Sequence, residues 1–200
     1  MQRESGSQDG FGGDLGGLAG ADDLCRRIAQ YVLECAGNKE WRAFLSTSTE
    51  DAIDRVGTGP WYDFAGRTVA LTVSDLANTR PANADRLIAR DLPNEYGIPN
   101  HAPDGTQVDN HDTLTGSNAQ GRNIGSASGT CNDWTSSESS GKPQIGHSWP
   151  GGPSEHWIAA HTAPGCAPGV NISNRGGGGG GACVGCSGGY GGIYCFALQP

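Results

Sequence analysis

Basic charge is scarce in this chain. Its 13 Lys and Arg face 21 Asp and Glu, for a net charge of −8. A surface of that sign repels phosphate and sulfate polyanions, which excludes nucleic acid and heparin as generic partners. Long apolar runs are missing as well. No segment approaches the ~18 residues of a membrane-spanning helix, so no membrane span is expected. Residues 1–17 lack the hydrophobic core of a signal peptide; an exported form would owe its export to a signal outside these residues. Catalytic signatures are absent too: there is no G-x-S-x-G, no H-E-x-x-H and no phosphate-binding loop. Hydrophobic residues make up only 35% of the 200, which predicts few regular elements and much loop.

Glycine and cysteine are abundant instead. The 34 glycines lose more backbone entropy on folding than any other residue type, so the chain gains from covalent cross-links. Seven cysteines (Cys25, Cys35, Cys131, Cys166, Cys183, Cys186 and Cys195) are spread from one end to the other. That distribution suits a disulfide framework in an oxidising compartment: secreted, cell-surface or periplasmic. The odd count leaves one thiol without an intrachain partner. The length suits one domain with a core that the disulfides supplement.

Residues 1–17 are polar and Gly-rich and read as a flexible lead. Leu24, Ile28, Tyr31 and Cys35 then recur at helical spacing. The pattern predicts a helix from near Ala21 to Gly37, with Asp22 and Asp23 complementing the dipole of its first turn. A strand is expected at 41–45, a short helix at 49–56 opened by Ser48 and Asp51, and a strand at 68–73. Residues 78–155 read mostly as loop, a length associated with function. Strands are expected at 156–161 and 193–198. The Gly-rich insertion at about 173–192, which includes Gly176 to Gly181, reads as a floppy segment. The order of elements does not alternate as in a doubly wound chain. It predicts an α+β fold with an antiparallel sheet.

Three local patterns share one order. Gly20-Ala21-Asp22 leads through Cys25 to Trp41-Arg42-Ala43-Phe44-Leu45-Ser46. Gly116-Ser117-Asn118, then Gly121-Arg122, leads to Cys131-Asn132-Asp133-Trp134. Cys186 is followed by Tyr194-Cys195. Together, over roughly residues 18–200, they resemble the endostatin domain of collagens and the wider C-type-lectin-like family. The C-x-D-W-T-S and G-x-Y-C-F endings are similar to those of bacterial secreted lectin-like proteins. The resemblance implies two helices packed on twisted antiparallel strands, with long loops at one end. It also implies the pairs Cys25–Cys195 and Cys131–Cys186. Cys166 and Cys183 bracket the Gly-rich tract and form a candidate third bridge, which leaves Cys35 as a buried free thiol or an intermolecular one.

Candidate ligand residues follow from the same resemblance. Sugar-binding C-type lectins use an Asn-Asp pair beside Trp together with a Pro-Asn loop, and Asn132, Asp133, Asn94 and Glu95 are the counterparts. Trp149, in a Trp-Pro-Gly-Gly-Pro loop, is the best exposed candidate for stacking on a sugar or anchoring a partner; Trp61, Tyr62 and Trp157 are further aromatic candidates. Asp104, Asp109 and Asp112 crowd one loop, with His111 among them. Oxygen donors there suit calcium, though the spacing is not an EF-hand and turn chemistry is the plainer account. Zinc would need three or four converging ligands. His156 and His161, five apart on an expected strand, point to opposite faces, and the N-terminal histidines that bind zinc in animal endostatins are absent. No cofactor is therefore expected, with calcium as the one candidate.

The expected function is that of a non-catalytic extracellular recognition or matrix module for a protein or surface polysaccharide. The alternatives are a structural subunit of a cell-surface assembly or appendage, and a hydrolase or redox enzyme using Cys183, Cys186 and the histidines.

Overall fold

A computed structural model describes residues 10–98, 100, 110–149, 155–172 and 181–198. Ala21, Leu24, Cys25, Ile28 and Ala29 form a buried stripe at helical spacing and build α1 (Gly17–Val32). After it come β1 (Trp41–Ala43), the single turn α2 (Ala52–Arg55), β2 (Trp61–Tyr62), β3 (Thr68–Ala70), α3 (Val73–Leu76) and α4 (Arg86–Arg90). Then follow β4 (Asp112–Leu114), one helical turn at Cys131–Trp134, β5 (Gln144–His147), β6 (His161–Thr162), β7 (Ala167–Val170), β8 (Cys183–Gly185), β9 (Gly192–Ile193) and β10 (Cys195–Ala197). The fold is mixed α+β with small sheets. No helix among the described residues is long and apolar enough to cross a membrane.

The central sheet has the order β6-β5-β4-β9. Its β4–β5 and β5–β6 pairs are antiparallel and β4–β9 is parallel. β1 pairs antiparallel with β10, β2 with β3, and β7 runs parallel to β8. Two apolar clusters fill the interior. One joins α1 to Leu45, Leu114, Trp134 and Ile145; the other joins Phe44, Ile53, Trp61, Trp157 and Phe196.

Several elements differ from the sequence expectation for physical reasons. α1 begins before Ala21, so Asp22 lies past the first turn. Its carboxylate accepts from Ala43 N at 2.8 Å and takes the buried Arg55 Nη2 on both oxygens, at 2.7 and 2.9 Å. Asp22 thus ties α1 to β1 and α2. The segment 156–161 is mostly irregular: Trp157 N donates to Thr79 O and Ile158 N to the His156 ring, so these groups are not part of a strand ladder. Only His161 joins a strand. The 78–155 stretch contains α4, β4 and β5 as well as loop. Residues 10–16 of the expected lead pack on the domain. Phe11 is buried, and Phe11 N, Gly13 N and Leu15 N donate to Tyr190 O, Cys166 O and Trp134 O. Of the Gly-rich insertion, residues 173–180 lie outside the described residues; the remainder includes β8.

The disulfides also rearrange the expectation. Cys25–Cys195 is present and ties α1 to β10. Cys131 pairs with Cys166, not Cys186, and Cys183 pairs with Cys186, not Cys166. Loops of 170, 35 and 3 residues' separation restrict the unfolded chain by about 5, 4 and 2 kcal/mol in the entropy model. Cys35 is free but exposed rather than buried. Cysteine count carries no pairing information, and the N-terminal segment packs against the Cys131–Cys166 bond. Gly13 packs so closely on Cys131 that an added Cβ would sit 2.3 Å from its Sγ, while Gly13 N donates to the Cys166 carbonyl.

Non-reducing peptide mapping checks the framework. It should return Cys25–Cys195, Cys131–Cys166 and Cys183–Cys186, with Cys35 alone open to alkylation. A Cys131–Cys186 peptide would contradict it.

Candidate metal centre

Strand register assembles the site. Asp112 on β4 stands opposite His147 on β5, and Ile145 on β5 stands opposite His161 on β6. Ile145 and His147 are two apart and share a face. Asp112, His147 and His161 therefore project from one side of the sheet, and His111 joins them from just before β4. One ligand atom from each of His111, Asp112, His147 and His161 lies within 4.8 Å of all the others.

The distances have a common centre. Oδ1 of Asp112 is 3.2 Å from His111 Nε2, 3.6 Å from His147 Nε2 and 3.6 Å from His161 Nε2. Ligand atoms of a tetrahedral zinc ion, at their usual bond lengths, stand about 3.4 Å apart. The Asp112 side chain is completely buried, and neither of its oxygens receives a hydrogen bond. A buried carboxylate left so costs several kcal/mol, on the order of a lost ion-pair partner.

The outer partners fix which nitrogen faces the carboxylate. His147 Nδ1 lies 3.0 Å from Glu155 Oε2, and His161 Nδ1 lies 3.2 Å from Thr162 O. A carboxylate and a carbonyl can only accept, so each Nδ1 carries the proton. Each Nε2 is then the nitrogen left facing Asp112. Burial pushes the His147 pKa down, and the neighbouring His111 adds to the shift. His147 is thereby held in the neutral form that binds metal. A cation placed between these nitrogens and the buried anion is attracted by both. An imidazole-rich set with one carboxylate suits zinc and its first-row neighbours rather than calcium, which takes oxygen ligands.

The backbone around the ligands is closely supported. Arg80 Nη1 donates to His147 O at 2.7 Å, and its Nη2 donates to Ser148 O. Gly146 lets β5 approach the Trp157 carbonyl; an added Cβ would lie 1.7 Å from that oxygen. The Trp149 ring, 5.4 Å from that of His111 and nearly perpendicular to it, covers one side.

The residues singled out in the sequence fall in five places. Asp112 is the central carboxylate, and Trp149 is half-buried against His111 rather than free on a loop. Asp104 and Asp109 lie outside the described residues. Asn132 and Asp133 belong to the Cys131–Trp134 turn, whose residues have φ of 47°, 54°, 54° and 65°. Asn and Asp tolerate that left-handed region best. The Asp133 carboxylate accepts from Ser48 N at 2.8 Å, from Ser48 Oγ and from Thr130 Oγ1, which holds its pKa down against burial. Asn94 and Glu95 line a cavity of about 440 Å³ between α1, the β2–β3 hairpin and β10. Trp61 and Trp157 are core residues. The convergence of His111, His147 and His161 was missed because these residues come from separate strands, while spacing compares only neighbours in sequence. His156 stays outside the cluster, accepting from Ile158 N through its Nδ1.

No protein-family model matches the chain, and a search of curated proteins finds no significant match.

The orphaned carboxylate gives a stability test. In chelator-treated protein, Asp112→Leu removes an uncompensated buried charge and should raise stability by about 1–3 kcal/mol in urea unfolding. With zinc present, the same change should lower it relative to the parent chain. A loss of stability in the metal-free state would show that the carboxylate is already compensated.

Proposed function

We propose that the chain is an extracellular, C-type-lectin-like recognition module of the endostatin-related bacterial kind, organised around one zinc ion held by His111, Asp112, His147 and His161. The single observation that carries the zinc centre is the fully buried Asp112 carboxylate, without a hydrogen-bond donor among the described residues, with ring nitrogens of His111, His147 and His161 gathered around its Oδ1. Four protein ligands fill a tetrahedral zinc and leave no open position for substrate, the pattern of a structural rather than a catalytic site. Zinc so placed cross-links β4, β5 and β6, which stiffens a loop-rich fold.

Recognition falls to the concave surface. The cavity of about 440 Å³ is within the size range of ligand sites. Tyr62 and Phe64 stand exposed at its mouth, and Asn94, Glu95 and Asn100 supply polar edges. Aromatic faces beside amide and carboxylate groups are the chemistry that sugars need, so a surface polysaccharide is the favoured partner and a protein the alternative. The secreted or cell-surface setting is supported by the three disulfides. A second role, as a subunit of a surface assembly, is favoured by the exposed Cys35 thiol; it requires a dimer that reductant dissolves.

Zinc titration of the metal-free chain against a chromophoric chelator should give one ion per chain. Glu155→Gln, which loosens the grip on His147, should weaken affinity about 10–100-fold. A glycan array read with zinc-loaded protein should lose its signal in Tyr62→Ala and Phe64→Ala. Absence of zinc binding would refute the centre, and unchanged array binding by both variants would refute the cavity as the recognition surface.

A further inference from the structure

The C-x-x-C disulfide closes a turn that bears directly on two metal ligands. Cys186 N donates to Cys183 O at 3.3 Å, and Gly188 N donates to Gly185 O at 3.2 Å. The Gly188 carbonyl, two residues past the disulfide, accepts from both His111 N at 3.1 Å and Asp112 N at 2.9 Å. Consecutive ligand residues thus depend on one carbonyl. The contact is close: a Cβ on Gly188 would lie 2.3 Å from Cε1 of His111. Asn171 Nδ2 holds the other side of the turn through Cys186 O.

This disulfide differs from the other two in the length of its loop. Cys186 is partly exposed, as Cys195 is, while Cys25, Cys131, Cys166 and Cys183 are buried. Its loop is the shortest, so it constrains the unfolded chain least and acts mainly on local shape. Exposed disulfides with little structural burden are the exchangeable ones.

We infer that Cys183–Cys186 is a redox-active disulfide that sets the zinc affinity of the His111–Asp112–His147–His161 centre. The inference rests on the zinc proposal above. The reductant is a dithiol. Its thiolate attacks the Cys186 sulfur, the S–S bond breaks, and Cys183 leaves as thiolate. The second thiol of the reductant then displaces Cys186 from the mixed disulfide. Two electrons pass to the protein sulfurs, the two thiol protons end on Cys183 and Cys186, and the dithiol departs as its own disulfide. With the turn open, the Gly188 carbonyl is no longer fixed. His111 and Asp112 lose their shared anchor, and zinc is released. By linkage, bound zinc must in turn protect the disulfide.

Two measurements on the full chain test this, with zinc itself as the ligand. Chelator competition should show zinc binding at least tenfold weaker in the Cys183→Ser/Cys186→Ser variant than in the oxidised parent. Alkylation and mass spectrometry after equilibration in a defined dithiol–disulfide buffer should show an equilibrium constant for reducing Cys183–Cys186 in the parent at least tenfold smaller when zinc is bound. The second measurement needs no variant and decides the matter if the variant fails to fold. Equal reduction equilibria with and without zinc would overturn the redox coupling while leaving the zinc centre intact. Failure of the oxidised parent to bind zinc would overturn the centre itself.

Discussion

A buried carboxylate without donors organises this protein. Asp112 sits wholly inside the central sheet, and the groups nearest its Oδ1 are ring nitrogens. Two of those rings have their protons committed elsewhere, to Glu155 and to the Thr162 carbonyl. That arrangement, where β4, β5 and β6 meet, is the one on which the proposed zinc centre rests.

The rest of the architecture holds that point in place. Cys25–Cys195 fastens α1 to the closing strand, and Asp22 links the same helix to β1 and α2 through Ala43 N and Arg55. Arg80 fixes the end of β5, and the Cys183–Cys186 turn fixes the start of β4 through Gly188. The left-handed turn at Cys131–Trp134 is sterically costly for Cys and Trp. Each of its residues is held: Cys131 by Cys166, Asn132 by Thr135, Asp133 by Ser48 and Thr130, and the Trp134 indole by Ser46 O. The Asn-Asp pair that looks like a sugar ligand thus has a structural task, while Asn94 and Glu95 border the cavity.

Local features were legible in the sequence where their cause is local. Leu24 and Ile28 of the α1 stripe, β1, the short α2, β3 and the last strand follow from periodicity and breakers, whereas Tyr31 is exposed and Cys35 lies past the end of α1 at Val32. The Cys25–Cys195 link was legible through family resemblance. Asp112 reads in sequence as a calcium candidate because the aspartates near it suggest oxygen donors. Its true neighbours in space are imidazoles.

Composition and local pattern determined that this is an acidic, disulfide-dependent α+β chain without a membrane-spanning helix among its described residues. Those properties depend on residue counts and on contacts a few positions apart. Tertiary structure alone decided the pairing of Cys131 with Cys166 and Cys183 with Cys186, and the meeting of His111, Asp112, His147 and His161. Both depend on strand register and chain crossings over tens of residues, which spacing along the chain does not encode. The four-residue cluster exists because β4, β5 and β6 align in one register; a slip of one residue would turn its ligands to the opposite face.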